Sequence, residues 1–250
     1  MNHPSHRLFE RVKRFGGLPP EVAEVPHQLD GTSFFPAGAG LFVKNPAAEL
    51  PRFPVGGIMA LGHDWGTTRE FEYCAPRYAD RLSNPTWANL LSFFADAGID
   101  RREVFYTNFF VGLRNAMTSM GPHPARRHRD YVARCQEFLV EQVDLQKPRL
   151  VLVLGMHVPT LIAPLSDDLN GWSRSATFRS LDAQGLAGIP RVRLRGSTHT
   201  FAAAVLVHPC QRLRTVQSRR YRGFSGDAAE LNLVADMLGT SSAHITPLAA

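Results

Sequence analysis

The sequence predicts an α/β protein, a three-layer α/β/α sandwich around a central, mainly parallel sheet of about four strands. Apolar runs of strand length, such as 150–155 and 201–207, alternate with segments whose apolar residues recur at helical spacing. Strands that alternate with helices favour a parallel sheet covered on both faces. The length of 250 residues allows a full core, and 44% hydrophobic with 20% charged residues is ordinary for a globular protein.

The individual elements are predicted from periodicity and from cap and turn residues. Residues 5–15 are expected to form a short amphipathic helix with Ser5 as its cap. Residues 112–126 and 166–190 are expected to be loops. Further helices are predicted at 83–98 (capped by Ser83 or Asn84), 128–145, from about 157, and 226–239; strands are predicted at 55–61, 103–111, 149–155 and 201–207, with 191–195 at an edge or in a hairpin.

The expected organisation is a single compact domain. A helix and an irregular covering segment occupy 1–54, the α/β domain occupies 55–240, and a tail occupies 241–250. The N-terminus lacks the apolar stretch of a secretory signal, and no apolar run approaches the roughly 20 residues of a spanning helix. We therefore expect a cytoplasmic protein with no membrane partner, and nothing indicates an obligate protein partner.

The cationic residues indicate a possible partner. The net charge is +6, and only three of the 28 cationic side chains are lysine. GC-rich coding would explain this arginine bias equally well. However, the planar guanidinium binds phosphate bidentately, and arginines cluster at 126–129 and 212–222. The clusters predict a surface for a polyanion, most simply DNA, duplex or single-stranded. The three cysteines contain no C-x-x-C pair, so they indicate neither a disulfide framework nor a zinc site.

Three polar residues stand where predicted strands end. Asp64 lies in the turn G-H-D-W-G after the first strand, Asn108 is near the end of the second, and His208 follows the run F-A-A-A-V-L-V. Ligands of open parallel sheets bind at the carboxyl ends of the strands, so these residues are expected to converge on one crevice. Each also has an ordinary explanation as a turn, cap or loop residue.

Together the three residue types suit hydrolysis of a bond whose leaving group becomes negative. A carboxylate can orient water and stabilise a cationic transition state, as in glycosidic cleavage. An amide can read a base edge because it offers both donors and an acceptor. A histidine can hydrogen-bond to a developing oxyanion. A base in DNA must leave the stack to reach such a site.

Four stretches occur in the order of a known superfamily: Gly62-His63-Asp64-Trp65-Gly66, Y-T-N-F-F at 106–110, the segment 135–158, and His208-Pro209-Cys210. The first is similar to the motifs G-Q-D-P-Y and G-x-N-P-G, and the second to a strand end that supplies a base-reading asparagine. The third is similar to a segment of the iron–sulphur glycosylases, and the fourth to an H-P-S motif. Over residues 55–225 the chain thus resembles the uracil-DNA glycosylase superfamily.

The resemblance implies roles for individual residues. Asp64 would position the attacking water, Asn108 would read the base, and His208 would stabilise the departing base. The base would be enclosed by residues of the first motif and by a stacking aromatic: Gly62, His63, Trp65, Gly66 and either Tyr73 or Tyr78. A wedge at Leu213 would enter the duplex, with DNA contacts from its neighbours: Cys210, Arg212, Arg214, Arg219 and Arg220. A solvated basic loop is the alternative for that last segment.

The departures from the family pattern carry information. Trp65 replaces a proline, and Gly66 stands where the founding family has a tyrosine that excludes 5-substituted pyrimidines, so a larger base could enter. Cys135 falls where the iron–sulphur branch has a cluster ligand, but Gly112 stands where a second cysteine is expected. We therefore expect no cluster, no other metal and no organic cofactor, and we expect Cys135 to be a buried core thiol.

The resulting prediction is a monofunctional DNA glycosylase that removes uracil or a modified pyrimidine and leaves an abasic site. A bulky 5-modified base, such as the hydroxymethylated or glucosylated cytosine of phage DNA, would make it a defence enzyme rather than a repair enzyme. The alternative is a nucleic-acid-binding protein that keeps the fold without the chemistry. An unrelated α/β hydrolase is disfavoured, because the sequence has no G-x-S-x-G elbow, P-loop or G-x-G-x-x-G after a strand.

Overall fold

The computed structural model of the chain describes residues 3–43, 49–75, 84–175 and 177–239. Tyr78, Ser83 and the expected tail 241–250 lie outside the described residues. The α-helices are α1 (Pro4–Lys13), α2 (Thr68–Cys74), α3 (Pro85–Asp96), α4 (Arg129–Gln146), α5 (His157–Ile162), α6 (Phe178–Ala183), α7 (Arg212–Thr215) and α8 (Gly226–Leu238). The strands are β1 (Val22–Ala23), β2 (Ile58–Gly62), β3 (Val104–Asn108), β4 (Leu113–Arg114), β5 (Leu150–Leu154), β6 (Gly188–Val192), β7 (Phe201–Leu206), β8 (Arg220–Tyr221) and β9 (Phe224–Ser225).

The centre of the fold is a five-stranded sheet in the order β3-β2-β5-β7-β6. The first four of these strands run parallel, and β6 runs antiparallel to β7 at the edge. Every residue of the four parallel strands is buried, which explains their nearly continuous apolar sequences. The predicted α/β fold with a mainly parallel sheet flanked by helices is confirmed, with β6 as the additional strand.

The glycine- and proline-rich segment before β2 covers one edge of the sheet. The Phe35 N–H donates to the Tyr106 carbonyl at 3.1 Å, and the Tyr106 N–H donates to the Gly40 carbonyl at 2.8 Å. Since β3 is an edge strand, these bonds satisfy backbone groups that would otherwise be unpaired. Earlier in the same segment, β1 pairs with β4, which follows β3 in the chain. The segment thus reaches the carboxyl end of β3, where the functional site begins.

Some local predictions are wrong. The cap of α1 is His3, whose Nδ1 accepts the Ser5 N–H at 3.2 Å, whereas the Ser5 hydroxyl donates to the Ala39 carbonyl. Residues 166–190 contain a 3-10 helix at Asp167–Ser173 and the helix α6, because the buried Trp172 and Leu181 fold them onto the core. The edge strand β6 begins at Gly188 and ends at Val192, earlier than the expected 191–195.

The helix α2 was not predicted, although its capping box is visible in the sequence. The Thr67 hydroxyl accepts the Glu70 N–H at 3.1 Å, and the Glu70 carboxylate accepts the Thr67 N–H at 2.7 Å. This helix follows directly on the turn that carries Asp64. Among the described residues, no helix is long and apolar enough to cross a membrane.

Candidate active site

The carboxyl ends of the four parallel strands surround a cavity of about 520 Å³. Asp64 follows β2, Asn108 ends β3, His157 begins the helix after β5, and His208 follows β7. All four line the cavity. The parallel register, with Gly62 beside Asn108, brings these strand ends level with one another. The three residues singled out from the sequence, Asp64, Asn108 and His208, are thus brought together, and His157 joins them.

Asp64 is held in a buried ion pair. Arg114 Nε donates to Oδ1 at 2.9 Å and Arg114 Nη2 donates to Oδ2 at 2.6 Å, while His63 Nδ1 lies 2.7 Å from Oδ2. The side chains of Asp64 and Arg114 are 5% and 2% exposed. Burial by itself would raise the pKa of Asp64, but the hydrogen bonds from His63 and Arg114 hold that pKa well below its usual range. Asp64 is therefore an ionised carboxylate whose Oδ1 keeps one lone pair for another donor.

Arg114 also fixes the loop that follows β4. Its guanidinium donates to the carbonyl of Met120 at 3.2 Å and to that of Gly121 at 2.9 Å. Both residues line the cavity. One arginine thus joins the turn that carries Asp64 to the loop on the cavity wall.

Two further histidines adjoin His63. The ring of His157 lies 5.0 Å from that of His63, and the buried ring of His123 lies 6.1 Å away and stacks on Phe110 at 4.1 Å. Burial lowers the pKa of His157 and lowers the pKa of His123 to about 3. Burial therefore keeps the rings of His157 and His123 neutral at physiological pH.

Asn108 is oriented by the backbone of the covering segment. Its Nδ2 donates to the Phe35 carbonyl at 2.9 Å, and its side chain lies against Gly62 on the neighbouring strand. A Cβ at Gly62 would sit 2.3 Å from Asn108 Oδ1, so only glycine allows this approach. The amide keeps its second N–H and its oxygen for a ligand.

His208 is held in one tautomer by the loop that follows it. Its Nδ1 accepts the Cys210 backbone N–H at 3.4 Å and lies 2.9 Å from Cys210 Sγ. Burial lowers the pKa of His208 to about 4, so the ring is neutral. Because Nδ1 accepts, the proton of the neutral ring is on Nε2, which makes His208 a donor.

The turn residues Trp65 and Gly66 both line the cavity. The Trp65 ring packs edge-on against Phe71 at 5.6 Å. Gly66 has a φ of +133°, and a Cβ there would lie 2.6 Å from the Glu70 carboxylate, which caps α2. The conformation of the turn therefore requires a glycine at this position.

The aromatic residue expected to stack on a base is not Tyr73. Its side chain is 64% exposed and does not line the cavity, and Tyr78 lies outside the described residues. Phe34 of the covering segment does line the cavity, and it packs edge-on against Tyr106 at 5.4 Å. Nothing in the local sequence marks Phe34, because its place depends on pairing between the covering segment and β3.

The arginine-rich segment divides into buried and exposed side chains. Arg219 is 1% exposed and pairs with Asp182 and Glu230, and Arg212 pairs with Glu230 and Asp227. The guanidinium groups of these two arginines form ion pairs within the fold, so the prediction that they contact DNA is wrong.

The exposed members of the same segment face solvent. Arg214 and Arg220 are exposed, and Leu213 on α7 is 84% exposed. Cys210 and Gln211, just before α7, line the cavity. The exposed leucine therefore stands close to the mouth of the cavity, with cations beside it.

Sequence reasoning missed two polar members of this site. His157 could have been found, since it follows the apolar run of β5 as His208 follows that of β7. Arg114 gave no signal, because it lies in a segment predicted to be a loop and its burial depends on Asp64, fifty residues earlier. Cys135, as expected, is a buried core thiol, and burial raises its pKa to about 12.

The comparison with known families agrees with this architecture. The model of the uracil DNA glycosylase superfamily matches residues 78–230. The chain belongs to the uracil DNA glycosylase superfamily. The matched residues include Asn108, His157 and His208, and the turn with Asp64 precedes them. No curated protein matches the chain significantly.

Proposed function

We propose that this protein is a monofunctional DNA glycosylase, which hydrolyses the N-glycosidic bond of uracil or a modified pyrimidine flipped out of DNA and leaves an abasic site. The observation that carries the proposal is that Asp64, Asn108 and His208 line one cavity at the strand ends of a fold in this superfamily. Each has the protonation state that the reaction needs: an ionised carboxylate, an amide and a neutral histidine.

The roles follow from these states. Ionised Asp64 places negative charge beside the sugar, where positive charge develops as the bond breaks, and its remaining lone pair accepts a hydrogen bond from the water. Asn108 reads the base edge with its second N–H and its oxygen. His208 donates its Nε2–H to the oxygen of the departing base, where negative charge develops. Phe34 supplies the aromatic face on which the base stacks.

DNA is held outside the cavity by the exposed residues after His208. Leu213 enters the base stack and takes the space of the flipped nucleotide, and Arg214 and Arg220 contact phosphates. Such phosphate contacts give affinity without sequence choice.

The base is proposed to be a pyrimidine with a bulky 5-substituent. A cavity of about 520 Å³ lies within the range of small-molecule sites and is larger than a single pyrimidine ring fills. The wall has tryptophan and glycine, Trp65 and Gly66, where the founding family has proline and an excluding tyrosine. Hydroxymethylated or glucosylated cytosine fits this description, and a role against phage DNA would follow.

The test is release of bases from synthetic DNA. Single-stranded and duplex oligonucleotides carry uracil, a thymine mismatch, hypoxanthine, hydroxymethylcytosine or glucosylated hydroxymethylcytosine, and alkali-labile abasic sites are scored. Release from at least one substrate, with loss in His208→Ala, is the expected result. No release from any of them would refute the enzymatic function and leave a DNA-binding protein; release of uracil alone would refute the bulky base.

A further inference from the structure

The side chains of His63 and Asp64 form a hydrogen-bonded pair on the cavity wall. His63 Nδ1 lies 2.7 Å from Asp64 Oδ2. An ionised carboxylate can only accept, so a contact this short requires the proton on Nδ1. In the neutral ring Nε2 then carries a lone pair. Arg114 Nη2, at 3.3 Å from the same Nδ1, is the longer contact, and its hydrogen bond at 2.6 Å is to Asp64.

The two cavity histidines are therefore held in opposite tautomers. His208 accepts a hydrogen bond through Nδ1, which leaves the proton of the neutral ring on Nε2, whereas the His63 contact to Asp64 places a proton on Nδ1 and leaves Nε2 unprotonated in the neutral ring. The Nε2–H of His208 can donate a hydrogen bond to a developing negative charge. The unprotonated Nε2 of His63 can accept a proton from the attacking group. Opposite environments of two titratable groups are how an active site separates acid and base roles.

Asp64 itself is a poor proton acceptor. Both of its oxygens accept hydrogen bonds from Arg114, and its side chain is 5% exposed. A general base works best when its affinity for a proton is matched to the working pH, and this carboxylate is stabilised in its charged form. Its bond to His63 instead fixes the orientation of the ring and stabilises the imidazolium when it forms.

We propose that His63 is the general base that activates the attacking water, and that Asp64 and Arg114 are positioning residues that hold it. This rests on the proposed glycosylase function. As the water oxygen bonds to C1′, one proton passes from the water to His63 Nε2. The C1′–N bond breaks, and its electron pair leaves with the base, whose oxygen accepts the His208 Nε2–H. The proton on His63 then passes through solvent to the base anion.

The groups that face His63 set the pH dependence of this step. Asp64 and Arg114 are charged, and His123, His157 and His208 are neutral through burial. Protonation of His63 would remove the lone pair, so the rate of base release should fall towards acid pH. If Asp64 were the base, the rate would stay flat across about pH 5 to 8, since in that range only histidine changes charge among unperturbed side chains.

The kinetic experiment uses the substrate that the wild type cleaves fastest. Single-turnover release is measured from pH 5 to 8 for the wild type, His63→Gln, and His6→Gln, an exposed histidine on α1 outside the cavity. We expect His63→Gln to lower the rate on the order of 10²–10⁴-fold and to lose the acid limb, with His6→Gln unchanged. An unchanged rate and acid limb in His63→Gln would overturn His63 as base while leaving the glycosylase intact.

A second measurement needs no activity. Long-range ¹H–¹⁵N spectra of the histidine rings in the wild type distinguish a protonated ring nitrogen from an unprotonated one. We expect protonated Nδ1 in His63 and protonated Nε2 in His208, assigned by the loss of each signal in His63→Gln and His208→Gln. Nε2 protonation in neutral His63 would overturn the proposal, whether or not a substrate has been found.

Discussion

Asp64→Asn tests the buried ion pair directly. The substitution leaves the Arg114 guanidinium, 2% exposed, without its carboxylate. Breaking a buried pair by removing one partner costs about 3–5 kcal/mol, far above the roughly 0–1 kcal/mol of a surface pair. With a urea m-value of about 3 kcal/mol/M, the unfolding midpoint should fall by roughly 1–2 M.

The double-mutant cycle supplies the decisive comparison. Arg114→Met leaves the Asp64 carboxylate buried without its cation, whereas the double variant removes both charges. The double variant should therefore be more stable, by about 1–3 kcal/mol, than the sum of the two single effects predicts. The exposed pair Arg149–Glu103 is the control, and Arg149→Met should cost less than about 1 kcal/mol. Additive costs at Asp64 and Arg114, or a midpoint for Asp64→Asn equal to that of the wild type, would refute the reasoning.

The pH of the assay follows from the sign of the pKa shift. The folded pKa of Asp64 is depressed, so its contribution to stability is fully present above the unfolded value of about 3.9. That contribution is lost only as the pH falls through the lower folded pKa. Measurements at pH 7 therefore report the whole effect.

Three further results are expected. Leu213→Ala should slow base release from duplex DNA and leave release from single-stranded DNA unchanged. Val55→Ala, at another exposed apolar residue, is the control that should change neither rate. Equal slowing on both substrates would argue against a wedge at Leu213. Arg214→Gln and Arg220→Gln should each reduce the slope of log DNA affinity against log salt concentration by about 1. Arg219→Gln should instead destabilise the fold by about 3–5 kcal/mol. The reverse pattern would contradict the division into exposed and buried arginines. The folded pKa values of His123 and His208, about 3 and about 4, lie below the unfolded value of about 6.5. The urea midpoint should therefore fall as the pH drops from about 6.5 to 4, and it should fall less in His123→Gln. A constant midpoint would show that these rings are not held neutral.

Much of the fold could be predicted because buried parallel strands leave a strong local signal. Their residues are apolar on both faces, so the runs 150–155 and 201–207 stand out from the helical periodicity around them. The edge strand β6 has exposed residues on it and was placed with the wrong bounds, because its pairing with β7 rather than its sequence defines it. Short elements such as α2 and α6 depend on packing in the same way.

The strand-end polar residues were also visible to local reasoning. Asp64, Asn108 and His208 each follow or end an apolar run, and the carboxyl ends of parallel strands meet along one edge. His157 obeys the same rule and was overlooked. The positions of these residues at the strand ends therefore indicated the crevice that they line.

The partners of these residues were decided only by the tertiary structure. An arginine looks the same in the sequence whether it contacts phosphate or is buried against a carboxylate, because its environment is built by segments far away in the chain. Arg114 meets Asp64, and Arg219 meets Asp182, only when the sheet has formed. The chain by itself determined the fold class and three residues of the crevice. Only the folded structure determined that Asp64 forms an ion pair with Arg114 and a hydrogen bond with His63, because burial and proximity are properties of the packed molecule.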